Sequence, residues 1–155
     1  MARATRAAAP PETALTFLVD TNIAVYSHVP SRYHDACLEV IEAVAAGIAP
    51  GRMSTAVLEE IWHVELSGKA RPTAGLARRM YLVFTPLLAV TDEVVSRALA
   101  LTTPRLGAND RIHVATALAH GIDTILTADA AFDGIPGLRR VDPADDAARS
   151  RLLRG

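Results

Sequence analysis

The sequence predicts a doubly wound α/β domain, a parallel sheet of about five strands with helices on both faces. Two observations carry this. Short apolar runs of strand length alternate with stretches whose apolar residues recur at helical spacing, over nearly the whole chain. Acidic or other helix-starting residues also stand where such runs give way to helix, as happens at the carboxyl ends of strands in an open sheet. With 155 residues, 50% of them hydrophobic, the chain has the length of about one domain and enough apolar material for one core.

Residues 1–14 read as a flexible leader. Arg3 and Arg6 stand among alanines, then Pro10, Pro11 and Glu12 follow, without the Leu-rich core of a secretory signal; an Arg-bearing targeting segment is the alternative. The domain is expected over residues 15–142. Its first strand, residues 15–19, stops at Asp20, Thr21 and Asn22, which favour helix starts over strand interiors. Residues 33–46 place Cys37, Val40, Ile41 and Val44 at i, i+3, i+4 and i+7, an amphipathic helix stopped by Gly47. A short strand at 49–53 leads to a helix at 54–66, ended by Ser67 and Gly68. A helix at 72–84, a strand at 87–90, a helix at 92–101 and an Ala-rich helix at 110–120 follow, the last closed by Gly121. The run 124–127 repeats the opening pattern, ending two residues before Asp129, and a last strand lies at 138–141. From Pro143 the chain is polar and Ala/Arg-rich, so residues 143–155 read as a C-terminal tail or a short helix. There is no internal repeat.

Composition narrows the function classes. The single cysteine, Cys37, excludes an intramolecular disulfide framework and a cysteine-based zinc site, and it fits a reducing, cytoplasmic setting. The nearly apolar stretch 80–90 is interrupted by Thr85 and Pro86 and is too short to span a bilayer, so no membrane is expected. A net charge of −1 gives no global basic field, and affinity for any polyanion would need a local patch or bound cations.

Chemistry is carried by Asp20, Glu60, Asp110 and Asp129, each at a junction of apolar run and helix. Taken singly, Asp20 and Asp129 are ordinary turn residues, and Asn109 or Asp110 is an ordinary helix cap. Glu60 is distinguished from Glu59 by phase: at about 100° per residue, Val57, Ile61 and Val64 share one arc, which Glu60 borders and Glu59 faces away from. Glu65 falls inside that arc, with no role assigned beyond an expected tertiary partner or a frayed helix end. If the four acids converge, they need a cation. Two bare charges about 4 Å apart repel by roughly 4 kcal/mol at the effective dielectric near a protein surface. Mg²⁺ or Mn²⁺ relieves that with oxygen ligands and suits phosphate chemistry, while histidine-rich zinc spacing is absent. A two-metal site would activate a water and stabilise the leaving oxygen of a phosphodiester.

The segments Leu18-Val19-Asp20-Thr21-Asn22, Ser54-Thr55-Ala56-Val57-Leu58-Glu59-Glu60, Asp110-Arg111-Ile112-His113-Val114-Ala115-Thr116-Ala117-Leu118 and Leu126-Thr127-Ala128-Asp129-Ala130-Ala131-Phe132 resemble, in order, the successive motifs of PIN-domain ribonucleases, in particular the VapC type. The resemblance covers about residues 15–141. It implies a PIN-like sheet and a Mg²⁺- or Mn²⁺-dependent endoribonuclease, with Asp20, Glu60, Asp110 and Asp129 as catalytic and metal-holding acids. Asn22 and Thr127 match polar positions that help order the site. Asp133, one turn after Asp129, is either a further or water-mediated ligand or a turn residue before Gly134. The resemblance also implies an RNA substrate, a cognate VapB-type antitoxin and a homodimer.

Other features stand outside the acidic set. His113 lies one turn after Asp110, but metal-bound water needs no histidine base, so it reads as a packing or supporting residue. Arg71, Arg78, Arg79, Arg105 and Arg111 are candidate phosphate contacts or simply solvated cations. Trp62, Met80, Tyr81, Leu82, Val83 and Phe84 supply core packing or an interface. Two rival functions share such a scaffold: a non-catalytic binding module, and an aspartate-based phosphoacceptor or phosphatase. The second needs a lysine near a late strand, whereas Lys69, the only lysine, follows a helix, and Asn22 stands where the dehalogenase type wants an Asp.

Overall fold

A computed structural model describes residues 15–70 and 72–154; the leader expected at 1–14 lies outside the described residues. Phe17, Leu18 and Val19 form β1 (Phe17–Val19) and are all fully buried, as an apolar triplet is when both faces of its sheet are covered. Side chains alternate across the strand, so Phe17 and Val19 enter one core cluster and Leu18 the other. β1 pairs in parallel with β2 (Gly51–Arg52) on one side and β3 (Thr124–Leu126) on the other, and β3 pairs with β4 (Arg139–Val141). The order β2-β1-β3-β4 makes β1 and β3 the central strands, with the direction of winding reversing between them. β2 lies tight against its neighbours: a Cβ on Gly51 would come within 2.7 Å of Val44 and 3.1 Å of Phe17.

The helices divide by face. α1 (Thr21–Tyr26), α2 (His34–Ala45), α3 (Thr55–Ser67) and α4 (Leu76–Phe84) pack Ile23, Val40, Ile61 and Met80 around Phe17 and Val19. On the opposite face, α6 (Ala108–Ala119) packs Val114 and Ala117 on Leu18 and Ile125, and α5 (Asp92–Ala100) packs Val94 and Ala98 on Ala115 of α6.

Among the described residues four strands form where about five are expected. The segment 87–90 contributes only a parallel bridge between Leu88 and Ser54, closed by Leu88 N–H donating to Met53 O at 2.9 Å and Thr55 N–H donating to Leu88 O at 3.0 Å. Pro86 lacks an N–H to donate, and Thr91 is already capping α5 through Val94, so little extended chain is left between them. α4 starts at Leu76, not at residue 72, because Gly75 takes a left-handed conformation (φ 75°) and the Glu65 carboxylate accepts from Gly75 N–H at 2.6 Å and Ala77 N–H at 3.0 Å. Glu65 thus caps the next helix, the tertiary partner its position asked for. The segment after Pro143 carries α7 (Asp146–Leu153), whose Ala148 and Leu152 are buried in the Phe17 cluster.

Candidate active site

β1 delivers Asp20 to the carboxyl edge of the sheet, where it is the N-cap of α1 and only 5% exposed. Its oxygens are well held. Oδ1 accepts from Thr21 N–H at 2.8 Å; Oδ2 accepts from the Thr127 hydroxyl at 2.7 Å and from Asn22 Nδ2 at 3.0 Å. Asn22 also reaches across the winding reversal, donating to Thr127 Oγ1 at 2.9 Å and accepting Ala128 N–H at 3.1 Å. Asn22 and Thr127 therefore tie the ends of the two central strands together around one carboxylate. Burial raises the Asp20 pKa, and the nearby His113 with the hydrogen bonds from Thr127 and Thr21 N–H offsets that only in part.

Glu60, on α3, is the second node. Oε2 accepts from the Thr21 hydroxyl at 2.6 Å and lies 2.8 Å from His113 Nε2, while Oε1 accepts from Asn109 Nδ2 at 2.8 Å. Burial opposes ionisation, but the hydrogen bonds from His113, Thr21 and Asn109 outweigh it and hold the Glu60 carboxyl at about 2. His113 is fully buried, on the face of α6 shared by Asn109 and Asp110, and its Nε2 lies 4.0 Å from Asp20 Oδ1. Asp20, Glu60 and His113 offer donor atoms within 4.8 Å of one another, the spacing of a cation site. Tautomer chemistry argues against the imidazole as a ligand. An ionised Glu60 only accepts, so the shared hydrogen sits on Nε2. Freeing that nitrogen would put a hydrogen on Nδ1, which is buried with no partner among the described residues. Burial disfavours a charged ring, yet Glu60, Asp20 and Asp110 move the His113 pKa up, and Nε2 keeps its hydrogen in either ring state.

Asp110 sits in the first turn of α6, which begins two residues earlier than expected, behind Gly107. Neither Asp110 nor Asn109 caps the helix: Asn109 serves Glu60, and among the described residues nothing donates to the Asp110 side chain. Burial raises its pKa, and the charges of Asp20, Asp129 and Glu60 raise it further against the pull of His113. Asp129, two residues beyond Thr127, is exposed and does cap, accepting Ala131 N–H at 2.9 Å at the head of the 3₁₀ turn Ala130–Phe132. Asp20, Glu60, Asp110 and Asp129 all line one cavity of about 580 Å³. Asp133 does not line it; its carboxylate pairs with Arg140 at 2.6 Å.

The sequence signals missed Thr21 and Asn109 as members of this network, while His113 takes the supporting place that was one of its two readings. Asn109 and His113 are one turn apart on α6 beside Asp110, a spacing that points both side chains to one neighbour. Most of the flagged arginines are spoken for. Arg111 donates to the Leu101, Thr103 and Leu106 carbonyls, Arg105 to Asp133 O, and Arg79 to Ala74 O; Arg71 lies outside the described residues. Met80 and Phe84 are core, whereas Trp62, Tyr81 and Leu82 are exposed, Trp62 and Tyr81 beside a groove between α3 and α4.

The fold and site together define a doubly wound α/β protein with a carboxylate-lined cleft at the reversal of its sheet. Residues 17–138 match the PIN domain, and the chain belongs to the PIN domain family. A VapC ribonuclease of Mycobacterium bovis and ribonuclease VapC13 of Mycobacterium tuberculosis are each 28% identical over 134 residues, covering 80% of this chain and 98% of theirs. Among solved structures, VapBC2 from Rickettsia felis, bound to a promoter DNA fragment, shares the fold with a TM-score of 0.62 at 21% identity, over 82% of this chain and 98% of that one. A toxin-antitoxin complex from Klebsiella pneumoniae matches with a TM-score of 0.54 at 26% identity, over 82% and 97%.

Proposed function

We propose that this PIN-domain protein is a metal-dependent endoribonuclease, hydrolysing RNA phosphodiester bonds as the toxin half of a VapBC-type toxin-antitoxin pair. The observation that carries it is the gathering of Asp20, Glu60, Asp110 and Asp129 on one cavity at the carboxyl edge of β1 and β3. The donor set fits a hard divalent cation, Mg²⁺ or Mn²⁺: all four groups are carboxylates, and Asp20 and Asp110 are both pushed up in pKa, by burial first and by their like-charged neighbours as well. Asp20, Asp110 and Asp129 would hold the ion, with Glu60 beside them. Bound there, a divalent cation supplies an activated water and charge stabilisation for the leaving oxygen.

The chain's own residues do the rest. Thr127, Asn22 and Thr21 N–H fix Asp20 so that its carboxylate need not reorganise during reaction, and His113, Thr21 and Asn109 do the same for Glu60. Asp110, without a donor among the described residues, keeps its oxygens for ligand. Exposed Trp62, Leu66, Tyr81 and Leu82 give an apolar face for protein contacts, in line with a VapB-type antitoxin and a homodimer as partners. A cytoplasmic setting goes with Cys37, a free thiol that burial pushes up to about 12. No helix of the described residues is long and apolar enough to cross a membrane.

The test is cleavage of structured RNAs by purified protein with Mg²⁺, Mn²⁺ or EDTA, beside Asp20→Asn and Asp110→Asn variants. Cleavage is expected with a divalent cation, and its loss in EDTA and in both variants. Cleavage that survives EDTA and both substitutions would remove the metal-nuclease function, and a protein inert on every RNA that still binds a small protein tightly would favour the binding module.

A further inference from the structure

The cavity that holds the acids extends well beyond them, and the extension is patterned. Glu60, His63, Val64 and Ser67, at i, i+3, i+4 and i+7 of α3, all line it, and Asn22, Val25 and Tyr26 line it from α1. At 1.5 Å per residue the α3 stripe runs about 10 Å from Glu60 to Ser67. There Gly68, with φ 63°, ends the helix and turns the chain, and Lys69 closes the far end of the cavity with Ala70. Lys69 is exposed, and among the described residues no carboxylate pairs with it. Along its length the lining thus changes from carboxylates, through Val25, Tyr26 and Val64, to a cation. The Tyr26 ring is braced by stacking on Tyr33, with centroids 5.2 Å apart.

A basic peptide would suit the acidic end and be repelled at the other. A nucleotide chain has the complementary order: a phosphate at the cation-loaded acids, a flat base in the apolar middle, a further phosphate at Lys69. We propose that this arm of the cavity is a binding subsite for the nucleotide next to the scissile bond of single-stranded RNA, with Lys69 on its phosphate and Tyr26 beneath its base. The subsite rests on the nuclease function and adds to it the two residues, Lys69 and Tyr26, that would seat the substrate beside the acids. An unpaired strand is required, because a base stacks on a protein ring only when it has left its own helix.

The experiment is anisotropy of a fluorescein-labelled single-stranded decauridylate at a fixed concentration of Ca²⁺, a hard cation that takes oxygen ligands and would load the acids, titrated over a range of salt, beside cleavage of the same RNA by the wild-type protein with Mg²⁺ or Mn²⁺. Lys69→Ala is expected to weaken binding and to reduce the slope of log K against log salt by about 0.7, the share of one phosphate on a single strand. Lys69→Arg keeps both. Tyr26→Leu is expected to weaken binding about tenfold with the slope unchanged, and Tyr26→Phe to restore it. Arg97→Ala, whose arginine pairs with Glu93 on α5, controls for loss of any surface cation. Unchanged affinity and slope in Lys69→Ala overturn the subsite. So does retained RNA binding with tighter binding of deca-arginine, which makes the arm a seat for basic peptide. Wild-type protein that binds the RNA with the expected Lys69 dependence, yet cuts neither it nor the structured RNAs with either cation, leaves the arm standing as an RNA-binding site and removes the hydrolysis.

Discussion

His113 is fully buried within hydrogen-bond reach of the Glu60 carboxylate and in the field of Asp20 and Asp110, and its Nε2 donates one hydrogen there. A hydrogen bond to a charged group is worth about 1.5–3 kcal/mol, so losing it lets Glu60 swing away from the geometry that Thr21 and Asn109 also hold. His113→Leu is expected to lower kcat tenfold or more with little change in KM. His113→Gln, whose side-chain amide can donate from about the same place, should recover most of that loss. Equal rates in the two variants would show that the ring only fills space. At this scale the sequence was half legible. Helical phase separates Glu60 from Glu59 because α3 is regular and its buried residues, Val57 and Ile61, mark the inner face. Asn109 escaped because a cap is the commoner fate of such a residue, and His113 stood open between packing and support because the partner of both, Glu60, lies 49 and 53 positions away.

The elements themselves meet through a few polar contacts that span the chain. Glu65 near the end of α3 holds the first N–H groups of α4, so the α3–α4 hairpin is fastened by one carboxylate. Its pKa lies below the usual carboxylate range because the Ala77 and Gly75 N–H groups bond its charged form. A depressed pKa gives stability that is present above the unfolded value and is lost as the pH falls through the folded one. Urea unfolding should find Glu65→Ala less stable by about 1 kcal/mol at neutral pH, the usual worth of a helix cap. That gap should narrow on acidification; a gap constant down to strongly acid pH would mean the cap does not depend on charge. The same contact explains why periodicity placed the α4 start too early. Apolar spacing cannot see a left-handed Gly75 or a capping side chain ten residues upstream. Nor could composition tell a strand at 87–90 from the Leu88 bridge, since Leu87, Leu88, Ala89 and Val90 suit either.

Across the whole molecule, the order β2-β1-β3-β4 sets Asp20 and Asp129 on either side of the reversal, and α6 brings Asp110 against them from the opposite face to α3 and Glu60. That convergence was legible from the order of the motifs, whereas its cost was not. The Asp110 pKa is raised by burial first and by Asp20, Asp129 and Glu60 as well, against the pull of His113, with no hydrogen bond to its carboxylate among the described residues. Its folded pKa is raised, so the stabilisation linked to its protonation is complete only below the unfolded value and is gone once the pH has passed the folded one. Asn keeps the neutral form's shape at every pH. In EDTA at neutral pH, Asp110→Asn should therefore melt above the wild type, by about 2–4 °C for each kcal/mol of repulsion relieved, with the difference shrinking toward acid pH. Adding Mn²⁺ should raise the wild-type Tm by binding linkage and raise the variant's less, even to the point of reversing their order. Identical melting of the two proteins in EDTA, with equal responses to Mn²⁺, would mean that these carboxylates neither strain the fold nor gather a cation.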